Sequence, residues 1–271
     1  MGQQIIAKLL PLLEKVTWPE TAVATEQGRQ SYFVGLEKVD ASSGNPNQLV
    51  ASLKTFIAGN SQPFAFAGVA YALIAAAREK DGSYAAAGLE AAADWLGKAQ
   101  DLEADVLEIN MLEGLLYVVN GRLQDARTVL DYLHELSPSD YQLYRIEVAY
   151  WQAKDDLEQT VHWFEQAAEV ADTVPQRLAM RGQLADFYFQ HKMWAEAKEA
   201  YQEALHFDNS NALLWHKLSV VHWQLQDIEE AEKCNQQTLR LKDFPAARQL
   251  EETIKKKKSE GGVWGKLFGG D

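Results

Sequence analysis

The sequence has little cysteine, little proline and no long apolar run. A single cysteine, Cys234, excludes an intramolecular disulfide, and seven prolines in 271 residues leave room for long helices. Since no stretch of about 18 consecutive apolar residues is present, we predict no stable membrane insertion. The first residues also lack the charged segment and cleavage site of a secretory signal. These features predict a cytoplasmic protein.

Basic residues are scarce relative to acidic ones. The chain has 26 Lys and Arg against 39 Asp and Glu, which gives a formal net charge of −13. Affinity for nucleic-acid backbones comes mainly from Lys and Arg, so an acidic surface repels phosphates. We therefore predict no nucleic-acid partner.

Catalytic and metal-binding patterns are missing as well. The six histidines include no HExxH motif, no cysteine pair accompanies them, and no glycine-rich phosphate loop is present. His216 and His222 are six residues apart, which places them on different faces of a helix. We predict that the protein is not an enzyme and has no catalytic, cofactor-binding or metal-binding residues.

A 34-residue period is present in the C-terminal half. Hydrophobic residues and aromatic residues make up 47% and 10% of the chain, enough for a continuous core. The period is carried by three residue pairs, each separated by 34 positions: Leu184 and Leu218, Ala197 and Ala231, and Leu205 and Leu239. Such a period indicates a repeat array rather than a single compact core.

Residues 178–211 strongly resemble a tetratricopeptide repeat (TPR). The matching residues are Leu184, Ala185, Tyr188, Ala197, Tyr201 and Ala204. Arg181 and Asn209 depart from the usual Trp and Pro. Residues 212–245 are similar through Trp215, Leu218, Ser219, Ala231 and Leu239, whereas His222, Asn235 and Thr238 depart from the pattern. The resemblance implies an all-α protein: an α-solenoid of antiparallel helix pairs in a right-handed superhelix.

Two more divergent repeats are expected at 107–140 and 140–177, which gives four repeats over 107–245. In the second of these we place an extra residue near Asp155 and Asp156, followed by a longer connection. Residues 246–258 are predicted to form a capping helix through Ala247, Leu250 and Ile254, since a terminal repeat needs a polar cover. Residues 259–271 are predicted to be a flexible tail with an apolar motif.

The N-terminal part carries little TPR signature. Residues 1–62 contain three helical patterns, with Asn45 and Pro46 suited to a helix cap and first turn. Residues 63–106 are predicted to form an Ala-rich helical hairpin. We expect about three helix pairs before residue 107, either as degenerate repeats, which we favour, or as a distinct helical cap.

The resemblance also implies a concave partner-binding groove lined by the first helix of each repeat. Val118, Trp151, Phe189 and Trp223 are expected at the same place in successive repeats. The alternative is that some of these rings pack within the array. The predicted groove residues are Met111, Leu115, Val118, Tyr144, Val148, Trp151, Asp186, Phe189, His216, Val220 and Trp223.

Some family members grip a C-terminal carboxylate through a clamp of Lys, Asn and Arg residues. This chain has other residues at those places, so we predict no such clamp. The replacing residues are Gly182, Gln183, Asp186, His216, Lys217 and Val220.

The tail motif suggests a second interaction. Val263, Trp264, Leu267 and Phe268 follow a run of four lysines. The motif has three open fates: self-docking in the protein's own groove, binding to a separate protein, or contact with a membrane surface. The fourth alternative is an end without a role.

The predicted function is that of an adaptor or scaffold, which binds a peptide or helix of a partner protein in the groove. The alternative is a permanently docked regulatory or accessory subunit of an enzyme or secretion complex. An enzyme site in the helices around residues 20–80 is a third and weaker alternative. Fold alone does not decide among these, so the partner must be inferred from the site.

Overall fold

The computed structural model describes residues 2–42 and 45–268, and the side chains of residues 260–268 lie outside the described part. Within these ranges the structure consists of helices, and its one β-bridge joins Arg78 to Tyr84. The predicted all-α class is therefore confirmed. The helices are α1 (Gly2–Leu13), α2 (Glu26–Ala41), α3 (Pro46–Ala58), α4 (Gln62–Ala77), α5 (Ala86–Leu102), α6 (Leu107–Val119), α7 (Leu123–Leu136), α8 (Tyr141–Ala153), α9 (Leu157–Glu169), α10 (Val174–Gln190), α11 (Trp194–Phe207), α12 (Ala212–Gln224), α13 (Ile228–Leu241) and α14 (Pro245–Phe268).

The helices belong to two compact units. Unit 1 covers residues 1–160 and unit 2 covers residues 161–271, so the division falls within α9. In chain order the even-numbered helices from α2 to α12 are the first members of helix pairs, and we call them A helices. The odd-numbered helices from α3 to α13 are the second members, and we call them B helices.

Short polar side chains fix where several helices begin. The carboxylate of Asp140 accepts hydrogen bonds from the backbone N–H groups of Gln142 and Leu143. The side chain of Asn211 does the same at the start of α12. At the start of α3, Asn45 is the N-cap and Pro46 occupies the first turn, as predicted. These caps satisfy backbone donors that have no partner inside the helix.

One turn geometry recurs between the A and B helices. The residues at its centre have positive φ values: 72° at Gly121, 56° at Asp155, 59° at Lys192 and 61° at Gln226. Each of them donates its backbone N–H to the carbonyl oxygen three residues earlier. The shared bond identifies equivalent positions in the A helices of the four pairs, whatever the side chains are.

The helix pairs of unit 1 stack in a regular order. Each A helix contacts the next one, namely α2 with α4, α4 with α6, and α6 with α8. Each B helix contacts the following A helix, namely α3 with α4, α5 with α6, and α7 with α8. The pairs before residue 107 thus have the same neighbours as the pairs after it. Helix α1 packs on α3, α4 and α5 instead.

In the described part of the chain before residue 107 there are five helices, not the six that three predicted pairs need. Among them α4 is buried on almost every side, and its sequence is mostly Ala, Gly and large apolar residues. The ring of Phe56 on α3 lies between Gly35 of α2 and Gly68 of α4. Since close packing here relies on two glycines around one ring, a TPR signature is not needed to stack these helices.

Unit 2 packs α10 on α11 and α12 on α13, with α11 also contacting α12. Ala197 and Ala231 are fully buried on the two B helices, where small side chains allow close helix contact. Helix α14 covers α13 through the buried residues Ala247 and Ile254. The amide of Asn235 donates to the Ala247 carbonyl oxygen at 2.9 Å, which fixes α14 on α13.

Two helix boundaries differ from the prediction. Helix α10 begins at Val174 rather than near residue 178, because Thr173 and Gln176 form a capping box and Pro175 lies in the first turn. Helix α14 ends at Phe268, whereas the predicted capping helix ends at residue 258 and gives way to a flexible tail. Residues 269–271 lie outside the described part.

Candidate functional site

The A helices of unit 2 present a partly exposed face. Phe189 lies on α10, and Val220 and Trp223 lie on α12, all at intermediate exposure. Phe189 and Trp223 are equivalent, because their carbonyl oxygens accept the turn bonds from Lys192 and Gln226, both at 3.1 Å. We call Asp186, Phe189, His216, Val220 and Trp223 the unit 2 face.

The one carboxylate of this face is held by neighbouring side chains. Lys217 Nζ donates to both carboxylate oxygens of Asp186 at 2.6 Å. The hydroxyl of Tyr201 also donates to Asp186 at 2.6 Å. The three residues lie on α12, α10 and α11, so the cluster ties the helices together. Lys217 is therefore not a free cation for a partner's carboxylate.

His216 adds no charge to the face at neutral pH. Burial lowers the pKa of His216, and the positive charge of Lys217 lowers it further, while the nearby Asn235 side chain opposes the shift. The imidazole packs edge-on against the Phe244 ring, with ring centroids 5.0 Å apart. Together with the Asp186–Lys217 pair, a neutral His216 leaves the unit 2 face without net charge.

The aromatic rings of the face are only partly used by the chain itself. Phe189 meets the Trp194 ring in a T-shaped contact with centroids 5.3 Å apart, and it packs on the core of unit 2. One side of the Phe189 ring thus packs within the array, which is the alternative prediction for these rings. Its other side, like part of Trp223, remains accessible.

In unit 1 the predicted register of the second repeat is wrong by one residue. Asp155 N–H bonds to the carbonyl of Gln152, as Gly121 N–H bonds to that of Val118. Gln152, not Trp151, is therefore equivalent to Val118, Phe189 and Trp223. The turn holds no extra residue at Asp155. The additional residues of this stretch lie in the first turn of α10.

The predicted groove residues of unit 1 lie in or against its core. Met111, Val118, Tyr144 and Val148 are buried, and Leu115 packs on the main core. The Tyr144 hydroxyl donates to the carbonyl oxygen of Pro138 at 2.5 Å. The structure therefore does not bring these five residues together as an open surface.

Trp151 is held by its own surroundings. Its ring meets Tyr150 in a T-shaped contact with centroids 5.2 Å apart, and the Lys154 ammonium lies 4.9 Å from the centre of its ring. Among the described residues its buried indole N–H has no hydrogen-bond partner. Trp151 occupies the place of Tyr117, Tyr188 and His222 in the other pairs.

Two solved structures resemble the chain along most of its length. The STAND protein PH0952 from Pyrococcus horikoshii, which has a tetratricopeptide repeat sensor, aligns with 76% of this chain and 33% of its own, at a TM-score of 0.54 and 17% identity. The APC/C hetero-tetramer Cut9–Hcn1 aligns with 84% of this chain and 46% of its own, at a TM-score of 0.54 and 15% identity. This chain has the tetratricopeptide repeat fold.

The chain spans less than half the length of each of these two structures, and the likeness concerns the fold. A scan of protein-family models and a search of curated proteins gave no match. The predicted TPR architecture, an α-solenoid of helix pairs, is therefore confirmed on structural grounds.

Sequence reasoning missed one residue of unit 1 that lies at a groove position of its A helix. Arg145 is the equivalent of Met111, Gly182 and His216, since each lies seven residues before the residue that accepts the turn bond. Its guanidinium contacts Asp40 of α2 and Tyr71 of α4. Those partners lie in the N-terminal helices, so no local pattern around Arg145 identifies them.

Three other predictions concern metals, membranes and the tail. The described side chains contain no group of three His, Cys, Asp or Glu residues placed to hold a metal ion. Among the described helices none is long and apolar enough to cross a membrane. The side chains of the tail motif, Val263, Trp264, Leu267 and Phe268, lie outside the described residues.

Proposed function

We propose that this TPR protein is a protein-interaction scaffold, and that it binds a peptide or helix of a partner protein on the unit 2 face. The observation that carries the proposal is the pair of equivalent, partly exposed aromatic rings, Phe189 on α10 and Trp223 on α12. Large aromatic anchors supply most of the energy of a protein interface, and they cluster where water is excluded.

The charge state of the face indicates what kind of segment fits it. Asp186 is neutralised by Lys217, and His216 is neutral at neutral pH, so a charged ligand gains no ion pair there. The expected ligand presents apolar side chains to the two rings. The same pairing of Lys217 argues against recognition of a terminal carboxylate.

A double variant tests the proposal. Phe189→Ser with Trp223→Ser removes both rings, and circular dichroism should show that the helices remain. Peptides selected from a random library on the full chain should lose most of their affinity for this variant, by at least tenfold in fluorescence anisotropy. Unchanged affinity would contradict binding on the unit 2 face.

A second candidate function is a permanently docked accessory subunit. The last residue of four B helices is a large exposed apolar side chain, and a buried interface would cover such residues. These residues are Leu102, Leu136, Phe207 and Leu241. An obligate subunit should self-associate when isolated, whereas a scaffold should sediment as a monomer.

The variant Phe207→Ser with Leu241→Ser separates the two candidates. It removes two apolar side chains from the B-helix ends of unit 2 and leaves the unit 2 face intact. Under the scaffold proposal it should bind the selected peptides with wild-type affinity. The accessory-subunit function is supported instead if this variant loses affinity for the peptides while the Phe189→Ser, Trp223→Ser variant keeps it.

A further inference from the structure

Three side chains from distant parts of unit 1 meet across its A helices. Arg145 Nη2 of α8 lies 2.7 Å from Asp40 Oδ2 of α2 and 3.2 Å from the Tyr71 hydroxyl of α4. The Tyr71 hydroxyl in turn donates to Asp40 Oδ1 at 2.5 Å. We call Asp40, Tyr71 and Arg145 the strap.

The strap joins the helices on the two sides of α6. This helix contacts α4 on one side and α8 on the other, so the bond between Tyr71 and Arg145 joins the two neighbours of α6. Met111 lies on α6 at the position equivalent to Arg145, and only 4% of its surface is exposed. At the same position in unit 2 the residues are Gly182 and His216, both at intermediate exposure.

The guanidinium is well satisfied in this position. The side chain of Arg145 is 19% exposed, and Nη1 donates to the Gln142 side chain at 2.9 Å. Burial by itself lowers the pKa of Arg145, but its neighbours Tyr71 and Asp40 outweigh burial and raise it. A charged hydrogen bond that is partly shielded from water is stronger than an exposed ion pair.

A second contact closes the same group of helices. Arg29 of α2 bonds to the carboxylate of Glu108 of α6, whose side chain is 7% exposed. Helix α2 is thereby tied to α6 as well as to α8. Four A helices of unit 1 are linked through polar side chains, and Arg145 among them lies at a position where the TPR resemblance implies an open groove.

We propose that the strap closes the A-helix face of unit 1 over Met111 and keeps partner segments out of it. The proposal does not rest on peptide binding by the unit 2 face. In this proposal Arg145 closes the A-helix face of unit 1, and Asp40 and Tyr71 hold its guanidinium in place. A segment that enters unit 1 has to break the strap first.

Methionine oxidation measures this closure in the full chain. Hydrogen peroxide oxidises methionines according to their exposure, and Met180 of unit 2, which is 1% exposed, serves as an internal control for global opening. In Arg145→Leu, mass spectrometry should show Met111 oxidised several-fold faster than in wild type, with Met180 unchanged. Lys233→Leu, which breaks an exposed ion pair of unit 2, should change neither rate.

Two milder variants guard against simple misfolding. Tyr71→Phe removes only the hydroxyl that bonds both strap partners, and it should speed Met111 oxidation to a smaller extent. Arg145→Leu should add less in an Asp40→Asn background than in wild type, because Asp40→Asn already removes the ion pair of the strap. An unchanged Met111 rate in Arg145→Leu, or an equal acceleration at Met180, would overturn the proposal.

Discussion

At the residue scale, three of the four recurring turns place a residue other than glycine at a positive φ angle. Gly121 adopts a positive φ without steric cost, but Asp155, Lys192 and Gln226 adopt the same conformation with a Cβ atom. For an L-residue this region costs about 1–2 kcal/mol. The turn is therefore imposed by the packing of the helices it joins, and a better residue at its centre should stabilise the fold.

Lys192→Gly and Gln226→Gly should each raise the free energy of unfolding by about 1 kcal/mol, because glycine removes the strain. Urea denaturation followed by circular dichroism measures the change. Gly121→Ala is the converse control, since no atom lies within 4 Å of the added Cβ and only the backbone is affected. A loss of stability in both glycine variants would show that the turns are not strained.

A buried carboxylate gives the protein a pH-dependent element. Glu147 of α8 is 0% exposed, and it accepts hydrogen bonds from Arg127 at 2.8 and 3.0 Å and contacts His134 Nε2 at 2.8 Å. Burial raises the pKa of Glu147, but the bonds to His134 and Arg127 outweigh burial, so the net shift is downward from 4.5.

A lowered pKa means that Glu147 stabilises the fold above its ordinary value, and that this contribution is lost as pH falls through the folded pKa. Glu147→Gln should cost about 3 kcal/mol at neutral pH and flatten the decline of stability below pH 4.5. Urea unfolding at a series of pH values measures both effects. The exposed neighbour Glu135→Gln should change neither, and equal behaviour of the two variants would contradict the assignment.

At the scale of helices, unit 1 depends on glycines that accept one ring. A Cβ atom on Gly68 would lie 2.3 Å from Phe56 Cδ1, and one on Gly35 would lie 2.1 Å from Phe56 Cε1. Both distances are too short for carbon atoms in contact. The close approach of α2, α3 and α4 therefore depends on the lack of a side chain at Gly35 and Gly68 as well as on the Phe56 ring.

Gly68→Ala should lower the free energy of unfolding by about 2 kcal/mol, because Phe56 has to move in a closely packed core. Gly97→Ala on α5 is the matched control, since nothing lies within 4 Å of its added Cβ. It should leave stability unchanged or raise it by up to about 1 kcal/mol through helix propensity. Thermal unfolding distinguishes the two, and similar shifts would contradict this account of the packing.

The helix pairs that carry the TPR signature were predictable because small and aromatic residues recur at a fixed spacing. The register of α8 was not, because one-residue shifts leave the apolar pattern of a helix nearly intact. Trp151 and Gln152 are neighbours, and only the turn bond from Asp155 decides which of them matches Phe189. The additional residues of this stretch lie in the longer α10, and not at Asp155, where the sequence pattern places one of them.

At the scale of the whole molecule, the fold was predictable and the partner-binding surface only in part. Periodicity determines which faces are apolar, but exposure depends on which neighbour covers each face. Met111 matches a groove position in the sequence and is buried in the structure. The partners of Arg145 lie in helices without a family signature, so the strap was beyond the reach of local patterns.

The two units also differ in the side chains that lie on the surface of their A helices. In unit 1 the A helices are joined by Arg145 and Arg29 to carboxylates of their own chain. In unit 2 the corresponding helices keep Phe189 and Trp223 partly exposed around a neutralised Asp186. Both units therefore have a surface formed by A helices. Under our proposal, the side chains leave only the surface of unit 2 accessible to a partner.

Hydrogen–deuterium exchange of the full chain, with and without a peptide selected on it, tests this central claim most directly. Binding on the unit 2 face predicts slower exchange in α10 and α12, with little change in α11, α13 and the helices of unit 1. Slower exchange confined to α11, α13 or α14, or centred on α6 and α8, would contradict the account.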